Sequence, residues 1–363
     1  MSVGRSIQPE RIERVVVRGT NWVGDAVMTV PALRELRRVL PGAHITLATR
    51  PWAEGLFADA DFLDDLLVYE RRPRHLRDVT RQVREWRARR FDLALLFQNA
   101  FEAALIARAA RVPLRMGYAT DGRRALLTHP ITLPHWRDER HEVFYYLNLV
   151  AELERALYGA SSVEEREPQF NLTVSEKRKA EARAILAADG VRLTRTLVAL
   201  CPGSTNSRAK RWPAERYSAL ADRFVRETGA EVLLVGSADE LEVSREVEAR
   251  MSEEAHVLTG RTNLAQAVAV LSLVDLLVTN DTGPAHIASA LGRPTLVIFG
   301  PTDPRTTRPF APAAEIVRRP PDCAPCMLRD CPIDHRCMTA ISPDEVFERA
   351  KATMRRNATG VYQ

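Results

Sequence analysis

The chain has 363 residues, 45% of them hydrophobic and 27% charged, with a formal net charge of +5. That is length enough for two domains with cores of their own, and a composition too apolar for a disordered chain. No run of 18 apolar residues and no apolar signal-peptide core occurs, so neither a spanning helix nor secretion is expected and a cytoplasmic location is the expectation.

Residues 12–18 are apolar and β-branched and predict a strand. The loop Gly19-Thr20-Asn21-Trp22-Val23-Gly24-Asp25 follows. Over residues 26–40, Val27, Val30, Leu33, Leu36 and Leu40 stand at helical spacing. Pro31 either kinks this helix or marks its true first turn. Strands are expected at 45–48, 66–69, 93–96 and 113–117, and helices at 51–57 and 102–110. Nine arginines crowd residues 71–90, opposed only by Asp78 and Glu85. That helix presents either a solvated basic face or a surface for an anionic membrane, with Trp86 in the core or at the interface. No nucleic-acid-binding motif accompanies it, so no nucleic acid is expected as partner.

Residues 121–138 are irregular, and carry Arg123, Arg124, His129, His135 and Arg137. Helices are expected at 141–158 and 175–188. The polar stretch between them, 159–169, sets a boundary between domains 1–170 and 171–341. In the second domain, strands at 197–200, 231–235, 275–278 and 295–299 alternate with helices at 214–228, 239–251, 263–271 and 287–291. A last helix, 342–353, precedes a loose tail. Alternating strands and helices imply α/β domains with parallel sheets, and two of them imply a cleft.

Three stretches carry chemistry. Asn280-Asp281-Thr282-Gly283 is a polar turn between a buried strand and a helix opened by Pro284, a natural seat for an anion. Cys201 to Pro213 leaves another strand. There Gly203, Ser204 and Thr205 offer amides and hydroxyls, and Lys210 a mobile cation; a Gly-Lys-Ser/Thr ending is absent, so the loop is not a Walker A motif. Asp239 or Glu240, after the next strand, would reach a ribose hydroxyl or cap a helix. Asp25 opens the first helix, where the backbone dipole favours its ionised form. Gly19 and Gly24 are wrongly spaced for a dinucleotide loop, so NAD is not expected.

Together these stretches resemble the ADP-heptose:lipopolysaccharide heptosyltransferase family. The resemblance rests on residues 18–32, on Pro202-Gly203-Ser204, on Ala209-Lys210-Arg211-Trp212-Pro213, on Asn280 to His286, and on Gly300-Pro301-Thr302-Asp303-Pro304. It implies the GT-B fold, two Rossmann-like domains facing across a cleft, with a C-terminal helix returning toward the first. It implies inverting transfer of heptose from ADP-heptose, with ADP as product and no required cofactor. The acceptor would be the first heptose of a lipid A–Kdo core, on a monomer at the cytoplasmic face of the inner membrane. Asp25 then matches the catalytic base. Ser204, Thr205 and Lys210 match the diphosphate site, Lys210 also serving catalysis. Glu240, preferred to Asp239, matches the ribose contact, and Asp281, Thr282, Gly283 and His286 the nucleotide motif. His286 would touch phosphate or merely pack. The alternatives are transfer of the first heptose, another nucleotide sugar, or a basic scaffold without activity.

Cys323, Cys326, Cys331 and Cys337 are spaced C-x2-C-x4-C-x5-C. They would bind zinc or an iron–sulfur cluster, pair as disulfides, or remain free thiols, the metal-free segment being preferred. Cys201, at a buried strand end, reads as core.

Overall fold

In the computed structural model, which describes residues 8–70 and 76–358, the chain divides into two compact units, Met1–Phe170 and Asn171–Gln363. The arginines at 71, 72 and 74 and the tail beyond 358 lie outside the described residues.

The first unit runs β1 (Arg14–Arg18), α1 (Val23–Met28), α2 (Val30–Val39), β2 (His44–Thr49), α3 (Pro51–Phe57) and β3 (Asp65–Val68). Then come α4 (Leu76–Arg89), β4 (Leu93–Leu96), α5 (Phe101–Ala109), β5 (Leu114–Tyr118), β6 (His129–Ile131) and α6 (Glu142–Tyr158). The strands pair in parallel in the order β3-β2-β1-β4-β5-β6. A parallel sheet is covered on both faces, which is why its central strands are unbroken apolar runs. Val15, Val16 and Val17 of β1 and Leu93 to Leu96 of β4 are all 0% exposed.

The single helix expected over 26–40 is two, meeting at Thr29. Pro31 lies in the first turn of α2, where its lack of an N–H breaks no helical bond. The Thr29 hydroxyl donates to the Ala26 carbonyl at 2.6 Å and closes α1. Trp86 is 1% exposed and meets Phe91 edge-on, ring centres 5.9 Å apart, so it is core and not an interfacial anchor. The irregular stretch 121–138 contains edge strand β6, where Pro130 is tolerated because one side of an edge strand needs no partner.

The second unit runs α7 (Glu176–Ala188), β7 (Leu197–Cys201), α8 (Ala214–Thr228), β8 (Glu231–Leu234), α9 (Leu241–Arg250), β9 (His256–Val257) and α10 (Leu264–Leu271). It continues through β10 (Leu276–Asn280), α11 (Gly283–Ala290), β11 (Thr295–Phe299), α12 (Pro304–Thr307), β12 (Ala314–Arg318), α13 (Arg336–Thr339) and α14 (Pro343–Ala358). Its order, β12-β11-β10-β7-β8-β9, is again all parallel. Tyr217, Phe224, Val278, Ile298 and Phe347 meet in its core. The last helix runs to Ala358, past the expected end at 353, and α14 packs on α8, β10 and β11 of this unit, with Val346, Phe347 and Ala350 fully buried.

The two windings are the same. In each, the chain moves outward from its first strand, then returns to add its fourth on the other side. The loops after β1 and β4 therefore diverge, as do those after β7 and β10. Crevices at such reversals, outside the carboxyl ends of the strands, are where ligands bind in open α/β sheets.

Candidate functional site

At the crevice between β7 and β10, the loop from Pro202 to Trp212 faces the turn after Asn280. Asn280, the last residue of β10, is 0% exposed. Its Oδ1 accepts from the Trp212 amide at 3.0 Å and the Tyr217 hydroxyl at 3.1 Å. Its Nδ2 donates to the carbonyls of Pro202 and Gly203, at 2.8 and 3.0 Å. All four bonding positions of the amide are filled. One side chain thus pins both ends of the loop that carries Lys210. Sequence reasoning placed Asn280 in the polar turn without a role of its own; an amide closing a buried strand that is apolar but for Thr279 was the available signal.

The Lys210 ammonium lies 2.7 Å from Asp281 Oδ2 and also donates to the Asp281 carbonyl at 3.3 Å. The Thr302 hydroxyl donates to the same Oδ2 at 2.8 Å. The Asp281 side chain is 6% exposed and that of Lys210 26%. Two of three ammonium protons are engaged, which leaves one for a ligand. Asp281 therefore aims the cation, and Thr302, which follows the next strand, fixes Asp281.

Thr205 is exposed and Ser204 buried, the Ser204 carbonyl accepting from Arg211 Nε and Nη2 at 3.2 and 3.0 Å. Thr282 is the N-cap of α11, its hydroxyl turned to the Asn280 carbonyl at 3.3 Å. The anion seat there is narrower than the sequence suggested: Pro284 has no amide hydrogen, and the Ala285 amide is bonded to the Thr282 carbonyl at 3.1 Å. The Thr282 and Gly283 amides remain as donors. His286 is 4% exposed within α11.

Asp239 is exposed, whereas Glu240 is buried under the loop. Glu240 Oε2 accepts from the Ser237 amide and hydroxyl at 2.8 and 2.9 Å. A Cβ on Gly203 would lie 2.5 Å from Glu240 Cδ and Oε1, so only glycine lets the carboxylate reach this position. Cys201 is fully buried, and burial first, then the Glu240 charge, pushes its thiol up to about 12. It is core, with no thiolate to attack anything.

The cysteine segment braces the same loop. The Ala209 amide donates to the Arg329 carbonyl at 2.9 Å, His335 Nε2 meets the Ala209 carbonyl at 2.6 Å, and the Ser207 hydroxyl donates to the Arg329 carbonyl at 3.2 Å. On its other side the Met327 amide donates to the Pro301 carbonyl at 2.9 Å. All five cysteines are free thiols, so the disulfide alternative is not realised. Among the described residues no group of three His, Cys, Asp or Glu side chains is placed to hold a metal ion, the four candidate cysteines included.

In the first unit, Asp25 is the third residue of α1 and partly exposed. That helix is only 6 residues long, so the dipole supporting the Asp25 charge is smaller than a 15-residue helix would supply. The Tyr146 phenol beside it is fully buried and held well above its ordinary range, by burial first and then by the Asp25 and Glu142 charges. Arg18, 2% exposed, donates to Gln82 Oε1 at 2.6 Å and Gln98 Oε1 at 3.2 Å, its guanidinium 3.6 Å over the Tyr69 ring. Arg123, 0% exposed, bonds Tyr118, Gln98 and Asn99. These buried cations hold the strand-end loops in place.

The pattern described as glycosyltransferase family 9 (heptosyltransferase) matches residues 79–336. The chain belongs to glycosyltransferase family 9. This glycosyltransferase is 29% identical over 328 residues to lipopolysaccharide heptosyltransferase 2 of Salmonella typhimurium, covering 84% of this chain and 88% of that one. The structure of E. coli ADP-heptose lps heptosyltransferase II superposes with a TM-score of 0.80 at 26% identity, over 95% of this chain and 99% of the other. E. coli heptosyltransferase WaaC, solved with ADP, has a TM-score of 0.69 at 16% identity, over 94% and 99%, and shares the fold. The two parallel sheets of this family 9 glycosyltransferase are those of the GT-B fold.

Proposed function

We propose that this glycosyltransferase moves L-glycero-D-manno-heptose from ADP-heptose to the first heptose of the lipopolysaccharide inner core, inverting the anomeric centre. The observation that carries the reading is the aimed Lys210 at the β7/β10 crevice, in a chain that resembles lipopolysaccharide heptosyltransferase 2 over most of its length.

The second unit holds the donor. Lys210, the exposed Thr205 hydroxyl and the Thr282 and Gly283 amides receive the diphosphate, and Glu240 receives the ribose hydroxyls through the oxygen that Ser237 leaves open. The His286 ring, buried in α11, backs the phosphate turn. As the anomeric carbon–oxygen bond breaks, negative charge grows on ADP, where the third Lys210 proton and the amides stabilise it. The first unit holds the acceptor. A sugar hydroxyl is far too weak an acid to ionise first, so the Asp25 carboxylate takes its proton late, as the new bond forms. Single displacement needs no second nucleophile, and the cation at the leaving group is lysine, so no divalent metal is required. The protein acts as a monomer at the cytoplasmic face of the inner membrane, the exposed arginines of α4 meeting anionic lipid.

The test is product formation, read by mass spectrometry in the presence of a chelator, from ADP-heptose with heptosylated or unheptosylated Kdo2–lipid A. Transfer to the heptosylated acceptor is expected. Preference for the unheptosylated one reassigns the protein to first-heptose transfer, and transfer to neither overturns the reading. Asp25→Asn should keep ADP binding while turnover falls by roughly 10²–10⁴. Turnover near wild type would remove Asp25 as base.

A further inference from the structure

The two crevices share a winding but not a chemistry. That between β7 and β10 offers a lysine, a carboxylate and hydroxyls. That between β1 and β4 carries two bare aromatic rings. Trp22 is 59% exposed and Phe101 49% exposed, and no other described tryptophan or phenylalanine is an exposed side chain. Trp22 follows β1 as the N-cap of α1, where its side chain makes no capping bond. Phe101 follows β4 as the first residue of α5.

The β4 turn is anchored to a buried residue at the end of β1, and the β1 turn is held by Arg50. The Arg18 carbonyl accepts from the amides of Phe97 and Gln98, at 3.1 and 3.3 Å, which ties the β4 loop to the end of β1. The Arg18 guanidinium bonds Gln98 and lies 3.9 Å from Glu102, the neighbour of Phe101. Next to Trp22, Asn21 Oδ1 accepts from Arg50 Nε and Nη2, both at 3.3 Å, which leaves its NH2 as a donor. The rings are thus held out on fixed backbone, at a ligand-binding position of the fold, within three residues of a carboxylate.

A sugar ring has this composition in reverse: a flat C–H face and a rim of hydroxyls. Aromatic faces take the first, and amide and carboxylate groups the second. We propose that Trp22 and Phe101 form an aromatic platform on which the acceptor sugar stacks, presenting its hydroxyl to Asp25. This deepens the functional reading above and rests on it for the identity of the sugar.

Two measurements separate the platform from that reading. The first is transfer kinetics with acceptor varied at saturating ADP-heptose. Trp22→Ala should raise the acceptor KM by about 3- to 10-fold, the scale of one aromatic contact, and Phe101→Ala should move it in the same direction. Trp22→Phe should restore most of the loss. ADP affinity and melting temperature should not move, because both rings are exposed. The second is tryptophan fluorescence on adding a deacylated, heptosylated Kdo oligosaccharide. A change in wild type that is lost in Trp22→Phe, whose KM is nevertheless near normal, places the sugar on this ring. That signal in a protein inactive with every acceptor would uphold the platform and reject the transferase assignment. An unchanged acceptor KM in both alanine variants, or a fluorescence response indifferent to Trp22, overturns the platform.

Discussion

Asn280 shows how much of a loop's shape can depend on one buried side chain. Its Oδ1 faces two donors and its Nδ2 two carbonyls, all buried. Asn280→Asp keeps the shape but presents an acceptor to the carbonyls of Pro202 and Gly203. Burying an unpaired polar group costs about 1–3 kcal/mol, more when it is charged. Urea unfolding should show a loss of at least about 2 kcal/mol, and calorimetry a weaker ADP affinity as the Lys210 loop loosens. Unchanged ADP binding in a folded variant would show that the loop holds its shape without the staple. Lys210 and Asp25 could be singled out from the sequence as candidates, because their charges would suit a leaving phosphate and a departing proton whatever surrounds them. Asn280 was not, since its partners lie 63 to 78 residues away along the chain. Gly203 was read from the sequence as a candidate donor amide and not as the gap that admits Glu240.

Among the elements, the segment from Leu328 to His335 braces the Lys210 loop from outside. The exposed pair between Arg208 and Asp330, at 2.6 Å, contributes little because water screens it. The bond from His335 to the Ala209 carbonyl lies next to Lys210 in sequence and is partly buried. His335→Ala should weaken ADP binding by about fivefold, the value of one hydrogen bond of about 1 kcal/mol, with a small change in melting temperature. If Arg208→Ala has the larger effect on ADP titrations, the brace works through its charges instead. Cysteine spacing left metal, disulfide and free thiol open, because spacing records how near thiols are along the chain and not where their sulfurs point. The same division held for the sheets. Long amphipathic helices and fully apolar strands were legible from periodicity. Edge strands β6, β9 and β12 were not: one holds a proline, one has two residues and one carries Glu315, and their pairing comes from the neighbouring strand. The break at Thr29 needed the tertiary path to choose between two readings of Pro31.

At the scale of the molecule, each unit has carboxylates that set its acid limit. Burial alone would raise the Glu231 carboxyl, but hydrogen bonds from His256, at 2.9 Å, and from Arg192 outweigh it and hold the group below its usual range. Asp64 in the first unit is lowered likewise against its burial, by the Ile45 amide and Arg37. A folded-state pKa below the unfolded value gives stability that is present above the unfolded value and lost as pH falls through the folded one. Thermal melts should therefore hold steady toward neutral pH and drop below about pH 4, where unfolded carboxyls begin to bind protons. Glu231→Gln should melt lower than wild type at pH 7, and the gap should close as the pH falls through that window. A gap independent of pH would mean that Glu231 contributes by packing and not by charge.

The repeated winding has a consequence for how such an enzyme can change over generations. Each crevice is produced by the order in which strands are laid down, and that order is secured by wholly buried residues such as Val16 and Val278. The residues exposed at the crevices are loop residues that the cores do not need. On the function proposed above, a lineage can exchange the side chains after β1 and β4, and with them its sugar preference, while inheriting intact the Lys210 loop at the other crevice. On that same reading the fold separates what is recognised from what is released, and lets selection revise one without renegotiating the other.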